Sequence, residues 1–435
     1  MDDARFLAIK LLNKTFDKKG FSNLVLDHAL NNSQLGNKDK RFCSSLYYGV
    51  IERKITLDYI ISKYSKKPIN KLDLSILNIL RCGLYQLKYM DSVPDSAAIN
   101  ESVKLAKKYK LTSASGFVNA VLRNFIRDNK EISMPKGRIA KLSLEYSAPE
   151  WLVKKLIGEY GDNFAISLLE SSITKAPVTI RLNTNTADEK KLMDDIGDIK
   201  IRKNSFIENC YEILGGDITA TDAFRKGYLH VQDISSQLCC LALNVKENEI
   251  VLDLCSAPGG KAFTIAELLN GTGIVHAFDL YEKRVELIRS GAERLHLKNI
   301  KAGIGDALEF NENIPLADKV LCDVPCSGLG VIRKKPEIKY KDPKEFEGLA
   351  DIQYKILENA AKYLKLGGEL VYSTCTLSRK ENDEIIDRFL EGNEGFEGVS
   401  FLDDYGEPFG SYKATLIPMH FNSDGFFISK IKKIR

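Results

Sequence analysis

From Glu249 onward, short apolar runs alternate with helical segments, and this alternation limits the fold more than any other feature of the chain. The runs are Ile250–Leu254, Ile274–Asp279, Ile300–Ile304, Lys319–Asp323 and Glu369–Ser373; helical segments lie around Phe263–Leu269, Lys283–Leu295, Phe346–Leu364 and Asn382–Leu390. Neighbouring parallel strands need a long crossover, normally a helix, so strands alternating with helices predict a doubly wound α/β domain with a mostly parallel sheet. Ligands of such a sheet sit beyond the carboxyl ends of its strands. Near the end of the chain, Gly425–Lys430 and Ala414–Pro418 read as a closing antiparallel hairpin.

Upstream the pattern changes. Phe6-Leu7-Ile9-Leu11-Leu12, Leu46-Tyr47-Val50-Ile51, Leu74-Leu77-Ile79-Leu80-Leu84 and Phe117-Val118-Val121-Leu122-Phe125 space apolar residues by three and four, with breaks at Gly20, Gly36, Pro68, Pro94 and Gly116. This predicts an all-α bundle from Ala4 to about Arg127. The polar stretch Asp128–Gly137 reads as a linker. From Pro149 to Leu243, helical patterns at Trp151–Tyr160, Asn163–Ser172 and Asp188–Ile196 mix with strand-like Val178–Leu182 and Tyr228–Val231, a small α+β arrangement. The expected organisation is multi-domain: an all-helical domain over 1–130, a linker and accessory α+β domain over 131–243, and the α/β domain over 244–435.

The net charge of +4 averages two opposed regions. Residues 1–150 carry 26 basic and 15 acidic side chains, net +11, whereas residues 151–435 carry 37 and 44, net −7. A cationic region favours a polyanion, because neutralised phosphates release condensed counterions; a solvated surface explains the same excess. Lys107, Lys108 and Lys110 form a local basic patch. No apolar run is long enough to span a membrane, and the opening Met1-Asp2-Asp3 is unlike a signal peptide, so a cytoplasmic location and no membrane partner are expected. The nine cysteines contain no C-x-x-C pair, which favours reduced thiols over a disulfide framework and disfavours structural zinc; no metal is expected.

The first strand of the α/β domain runs into Asp253-Leu254-Cys255-Ser256-Ala257-Pro258-Gly259-Gly260-Lys261. A glycine-rich strand-to-helix turn lets a ligand approach the backbone and offers free N–H groups. The spacing is neither G-x-G-x-x-G nor that of a P-loop, which disfavours a diphosphate and suits a ligand with one carboxylate and an adenosine, such as S-adenosylmethionine (SAM). A purely structural turn is the competing explanation. Asp279, nineteen residues beyond Gly260, ends the second strand, where its carboxylate can accept from both ribose hydroxyls; Asp306 follows the third strand within reach of an adenine. Each is also a candidate helix cap or turn residue. Asp323 ends the fourth strand and leads into Val324-Pro325-Cys326-Ser327-Gly328, while Ser373-Thr374-Cys375 ends the fifth. Both thiols should therefore face one crevice, as nucleophilic catalysis requires, unless they are simply buried.

These segments resemble the SAM-dependent RNA cytosine 5-methyltransferases, which pair a Pro-Cys with a Thr-Cys motif. Arg181-Leu182-Asn183 and the tail Asp424-Gly425-Phe426-Phe427 extend the resemblance upstream to about Pro149 and downstream to Lys432. The amino-terminal segments Asp39-Lys40-Arg41-Phe42, Leu46–Val50, Ile79–Leu87 and Phe117–Arg123 resemble the NusB fold. The fusion is similar to the RsmB-type family of 16S ribosomal RNA methyltransferases. Two departures are Ser256, where alanine is usual, and Lys334 in Ile332-Arg333-Lys334-Lys335-Pro336, where a second arginine is common; lysine keeps the charge and loses the planar fork.

The resemblance implies a Rossmann-like catalytic domain with a mostly parallel seven-stranded sheet, a monomer, and 16S ribosomal RNA or a small-subunit assembly intermediate as partner. It implies SAM as methyl donor, held by Cys255, Ser256, Ala257, Pro258, Gly259, Gly260, Lys261, Asp279, Asp306 and Asp323. It assigns attack on carbon 6 of cytosine to Cys375, a hydrogen bond to ring N3 to Asp323, orientation of Asp323 to Lys261, and the release step to Cys326. Arg333, Lys334, Lys335, Lys339 and Lys341 form a basic run after the Pro-Cys loop, placed to guide RNA; a solvated loop explains the same charge equally well. The alternatives are the same chemistry on transfer RNA or another ribosomal cytosine, and a non-catalytic RNA-binding assembly factor.

Overall fold

The computed structural model describes residues 3–18 and 22–435, so the expected break at Gly20 lies outside the described residues. The chain divides into two compact units: Met1–Thr174 together with Lys334–Lys341, and Lys175–Arg333 together with Asp342–Arg435.

The first unit is helical: α1 (Ala4–Lys18), α2 (Ser22–Asn31), α3 (Asn37–Glu52), α4 (Lys54–Tyr64), α5 (Leu74–Tyr89), α6 (Asp95–Lys108), α7 (Ser115–Arg127), α8 (Arg138–Glu145), α9 (Glu150–Tyr160) and α10 (Asp162–Ser171). Its centre is α5, which starts where Asp73 accepts from the Ser75 and Ile76 amides and then buries Ile76, Leu77, Ile79, Leu80, Leu84 and Leu87. The polar stretch after α7 does not end this unit. Thr56 Oγ1 on α4 donates to the Leu144 carbonyl of α8 at 2.6 Å, and Ser147 Oγ accepts from the Ile55 amide, so α8 packs on the helical body and the first compact unit continues to Thr174.

The unit is completed by a segment from far along the chain. Pro336 opens a 3₁₀ turn, Pro336–Tyr340, that brings Lys339 and Tyr340 to the carboxyl end of α3. There, last-turn carbonyls have no helical partner. Lys339 Nζ donates to the Glu52 carbonyl at 2.7 Å and Tyr340 Oη to the Ile51 carbonyl at 2.7 Å. Lys339 is buried, which pushes its ammonium down to about 7. The expected basic run is thereby broken up: Lys339 faces carbonyls instead of RNA, and Arg333, in the second unit, donates to Asn422 and to the Ser423 carbonyl.

The second unit holds two sheets. In the smaller, β1 (Val178–Leu182), α11 (Glu189–Asp195), β2 (Ile201–Lys203), β3 (Cys210–Ile213), α12 (Asp222–Arg225) and β4 (Leu229–Val231) form an antiparallel sheet in the order β2-β3-β1-β4. After α13 (Ile234–Leu243) comes the Rossmann-like domain: β5 (Ile250–Asp253), α14 (Gly260–Leu268), β6 (Ile274–Asp279), α15 (Glu282–Arg294), β7 (Ile300–Ile304), β8 (Ala317–Asp323), α16 (Leu349–Lys362), β9 (Leu364–Thr374), α17 (Asp383–Gly392), β10 (Phe396–Gly398), β11 (Lys413–Leu416), α18 (Pro418–Phe421) and β12 (Phe426–Lys433). The strand order is β10-β12-β9-β8-β5-β6-β7, with β5 to β9 parallel and β12 antiparallel to β9. Seven positions are filled by eight strands, because β12 pairs with β11 over Phe426–Ser429 and with β10 over Ile431–Lys433. The expected hairpin is the β11–β12 pair. The order reverses at β5, which lies between β6 and β8, so the ends of these strands border the crevice.

Candidate functional site

A cleft of about 430 Å³ opens over these strand ends. It brings together Cys255, Ala257, Asp279, Asp306, Asp323, Cys326 and Cys375. A second cleft of about 210 Å³ shares Cys255, Ala257 and Asp323 with it and adds Ser256, Pro258, Gly260 and Lys261. Each residue expected to hold the cofactor or carry the catalysis, except Gly259, thus lines one of two adjoining hollows.

Gly259 acts from beneath. Its φ of +106° disfavours any side chain, and a Cβ there would come within 2.4 Å of the Phe263 ring. It caps α14, whose first-turn amides have no partner within the helix and so remain donors at the cleft floor.

Asp253, at the end of β5, carries the least satisfied charge of the site. It is 1% exposed and neither carboxylate oxygen makes a close hydrogen bond, and the nearby Ser256 hydroxyl, Cys255 amide and Lys261 charge offset its burial only in part. Burial, reinforced by the negative charge of Asp323, pushes its carboxyl up to about 7. A buried carboxylate short of partners is complementary to a ligand ammonium, and Gly260, where a Cβ would meet only Gln232 Nε2 at 3.9 Å, leaves room for a ligand against the backbone. The residues present therefore fit SAM. Sequence reasoning passed over Asp253, which reads as an ordinary strand-end residue; the signal was an aspartate on a strand otherwise apolar.

Asp279 accepts from the Ala257 amide at 3.2 Å and pairs with Arg284 at 3.1 Å, while Arg284 Nη2 donates to the Ala257 carbonyl at 2.7 Å. Arg284 thus ties the glycine-rich turn to the end of β6. It too was missed, although it sits in the first turn of α15, on the side that faces the strand end. Asp306 is exposed on the cleft rim, its Oδ1 accepting from the Leu308 amide.

Asp323 is held at both oxygens. Lys261 Nζ donates to Oδ2 at 2.7 Å and Ser373 Oγ to Oδ1 at 2.8 Å, the latter because Ser373 is the register partner of Asp323 across β8 and β9. Burial alone would disfavour the Lys261 ammonium, but the adjacent Asp323 carboxylate outweighs it and raises its pKa. The Phe426 ring lies 5.2 Å from Lys261 Nζ and supports the same charge.

The two thiols lie 3.4 Å apart, Cys326 Sγ to Cys375 Sγ. The hydrogen bond with Cys375, followed by burial, holds the Cys326 pKa well above the ordinary thiol range. Either sulfur can donate across that contact. The loops bearing them are stitched to β12: the Gly330 amide donates to the Cys375 carbonyl at 3.0 Å, and the Gly425 amide to the Gly330 carbonyl at 2.9 Å.

A doubly wound sheet with this turn, and with carboxylates and thiols at its switch point, defines a Rossmann-like, SAM-dependent methyltransferase preceded by a NusB-like helical domain. Within that class the chain belongs to the 16S rRNA methyltransferase RsmB/F family, whose model matches residues 240–432; the NusB family model matches 2–127 and the RsmF/B-like ferredoxin-like domain 148–209. It is 37% identical to the probable ribosomal RNA small subunit methyltransferase B of Bacillus subtilis, over 99% of this chain and 98% of that protein. It is 33% identical to the protein of that description from Synechocystis, over the full length of both. Among solved structures, PH0851 superposes with a TM-score of 0.84 at 24% identity, covering 100% of this chain and 99% of that one, which shows a shared fold. No helix among the described residues is long and apolar enough to cross a membrane.

Proposed function

We propose that this protein methylates carbon 5 of a cytosine in 16S ribosomal RNA through a transient bond between Cys375 and the base. The observation that carries the reading is the 3.4 Å approach of Cys326 and Cys375 beside Asp323 in a single cleft. Two thiols at that distance serve a reaction in which one makes a bond and the other helps to break it.

Carbon 5 of cytosine is a weak nucleophile. Attack of the Cys375 thiolate on carbon 6 forms a C–S bond and pushes the ring electrons toward carbon 5, and the charge that develops at N3 is taken up by a proton that Lys261 passes through Asp323. Cys326 Sγ, within hydrogen-bond distance of Cys375 Sγ, can donate toward the attacking thiolate. Lys261 and Ser373 hold Asp323 in place. SAM, when bound, supplies the methyl group; the Cys255–Lys261 turn, Asp279, Asp306 and Asp323 would hold it, with Asp253 meeting its ammonium. After methylation the carbon 5 proton passes to a base that Cys326 positions, and the C–S bond breaks with its electron pair returning to Cys375 as thiolate. The base must leave its stack to enter the cleft, at a cost of roughly a few kcal/mol that is least in an unpaired segment.

The cationic amino-terminal region would add phosphate contacts, and the division into RNA-binding, accessory and catalytic parts at about 130 and 243 belongs to this reading. So do a monomeric state, a cytoplasmic location, and free 16S RNA or a small-subunit assembly intermediate as substrate. The test is trapping on a denaturing gel with SAM and unmethylated 16S RNA. Cys326→Ala should accumulate a covalent RNA adduct and Cys375→Ala none, and bisulfite mapping should find one cytosine modified. The reverse gel pattern would exchange the two roles.

A further inference from the structure

Behind the thiols lies a buried carboxylate that the scheme above does not use. Glu381, which ends the 3₁₀ turn Arg379–Glu381, is 5% exposed and makes no ion pair among the described residues. Neutral donors satisfy it: Ser327 Oγ at 2.6 Å, the Ser327 amide at 2.9 Å and Gln353 Nε2 at 3.0 Å. Gln353, fully buried on α16, donates from the same nitrogen to the Pro325 carbonyl at 3.0 Å. The residues on both sides of Cys326 are therefore gathered onto one carboxylate and its amide neighbour.

The network crosses to the other thiol loop. Ser327 follows Cys326, Thr376 follows Cys375, and their hydroxyls meet at 2.7 Å. Because Ser327 gives its proton to Glu381, Thr376 donates to Ser327. The chain Thr376 to Ser327 to Glu381 runs alongside the Cys375–Cys326 contact and fixes its length. The Glu381 backbone carbonyl also accepts from Tyr372 Oη at 2.7 Å, anchoring the residue to β9, the strand that leads into Cys375. A buried carboxylate without a cation is costly to retain, and here each hydrogen bond it accepts serves the placement of Cys326.

We propose that Glu381 is a positioning residue for Cys326, holding the Pro-Cys loop so that its thiol faces Cys375, and that it acts in the release half of the reaction. This rests on the assignment of attack to Cys375 and release to Cys326. The negative charge behind the loop works in the same direction, keeping the Cys326 proton in place.

The experiment compares Glu381→Ala, Glu381→Gln, Cys326→Ala and Cys375→Ala in the full-length protein, with unmethylated 16S RNA and radiolabelled SAM, reading steady-state transfer and the adduct on a denaturing gel. Glu381→Ala should lower kcat at least about tenfold, leave the KM for SAM within about threefold, and accumulate adduct as Cys326→Ala does. Glu381→Gln can still accept from the Ser327 amide, and its own amide can donate to Ser327 Oγ, which then turns its proton to Thr376. It should recover to within about threefold of the parent. The proposal is overturned if Glu381→Ala turns over at the parent rate, if it slows without accumulating adduct, or if Glu381→Gln is as slow as alanine. Should Glu381→Ala fail to fold, Ser327→Ala cuts the same chain of hydroxyls, and an unchanged release rate there would also overturn it. If Cys326→Ala itself traps no adduct, the reaction scheme fails; if it traps adduct and Glu381→Ala does not, only the role of Glu381 falls.

Discussion

Replacing Asp253 by asparagine should make the ligand-free protein more stable and a poorer binder of SAM. The carboxyl is held at about 7 in the folded state against an ordinary value of 3.8, so its charged form is disfavoured by folding. The sign follows directly: a carboxyl whose pKa is raised on folding takes up protons, so its cost is absent below about pH 4 and complete above about pH 7. At roughly 1.4 kcal/mol per pH unit, that cost reaches about 4 kcal/mol. Asparagine is neutral throughout but leaves a buried amide without partners, so a net gain of about 2 to 3 kcal/mol at pH 8 is expected. Chemical denaturation followed by circular dichroism at pH 5 and pH 8 would measure it, and the gap between variant and parent should widen by about 2.5 kcal/mol over that interval. Calorimetry should find SAM binding weakened by about 10- to 100-fold, the loss of a charge-assisted hydrogen bond. A variant less stable than the parent at pH 8, or a gap independent of pH, would refute the claim that Asp253 is an uncompensated buried charge.

Lys261→Met removes one partner of a mostly buried pair whose other member, Asp323, is 28% exposed. A stability loss of about 1 to 3 kcal/mol and a fall in methyl transfer of about 100-fold are expected, read by denaturation and radiolabel transfer, and Lys261→Arg should not restore the rate. A Cβ on Gly330 would lie 1.9 Å from the Gly425 carbonyl oxygen and 2.9 Å from that of Cys375. Gly330→Ala should therefore abolish adduct formation while SAM binding by calorimetry persists. Lys107 and Lys110 are exposed, and removing both as alanines should lower the slope of log K for RNA against log salt by about 1.4 to 1.8 if each meets a phosphate. An unchanged slope would exclude this patch from RNA docking.

The strand ends were legible because an aspartate or a cysteine closing an apolar run has few structural uses, and four such endings in register mark a crevice. The glycine turn was legible because its spacing excluded the common phosphate motifs. What escaped the sequence is of two kinds. Strands β2 and β3 are short, and Ile201-Arg202-Lys203 carries two charges and stays largely exposed, so no alternation marks it. Arg284, Glu381 and Gln353 belong to helices or turns, and their importance comes from which strand end or loop the fold sets beside them; periodicity reports a face, not a partner. Within the basic run after Cys326, read from charge as an RNA guide or a solvated loop, Lys339 is neither: it is buried and its charge meets the carbonyls of α3.

The segment Lys334–Lys341 also bears on how the chain is made. Lys339 meets Glu52 across 287 residues of sequence. At a synthesis rate of roughly 5 to 20 residues per second, about 15 to 60 s pass between the emergence of α3 and that of the turn that closes over its end. The last carbonyls of α3 and the site filled by Tyr340 must wait through that interval, so the amino-terminal body cannot reach its final form on the ribosome before the strand bearing Asp323 has been translated. A ribosome stalled between these two points would carry a helical body that is collapsed yet open at one end, and protease sensitivity confined to the α3–α4 junction would reveal it.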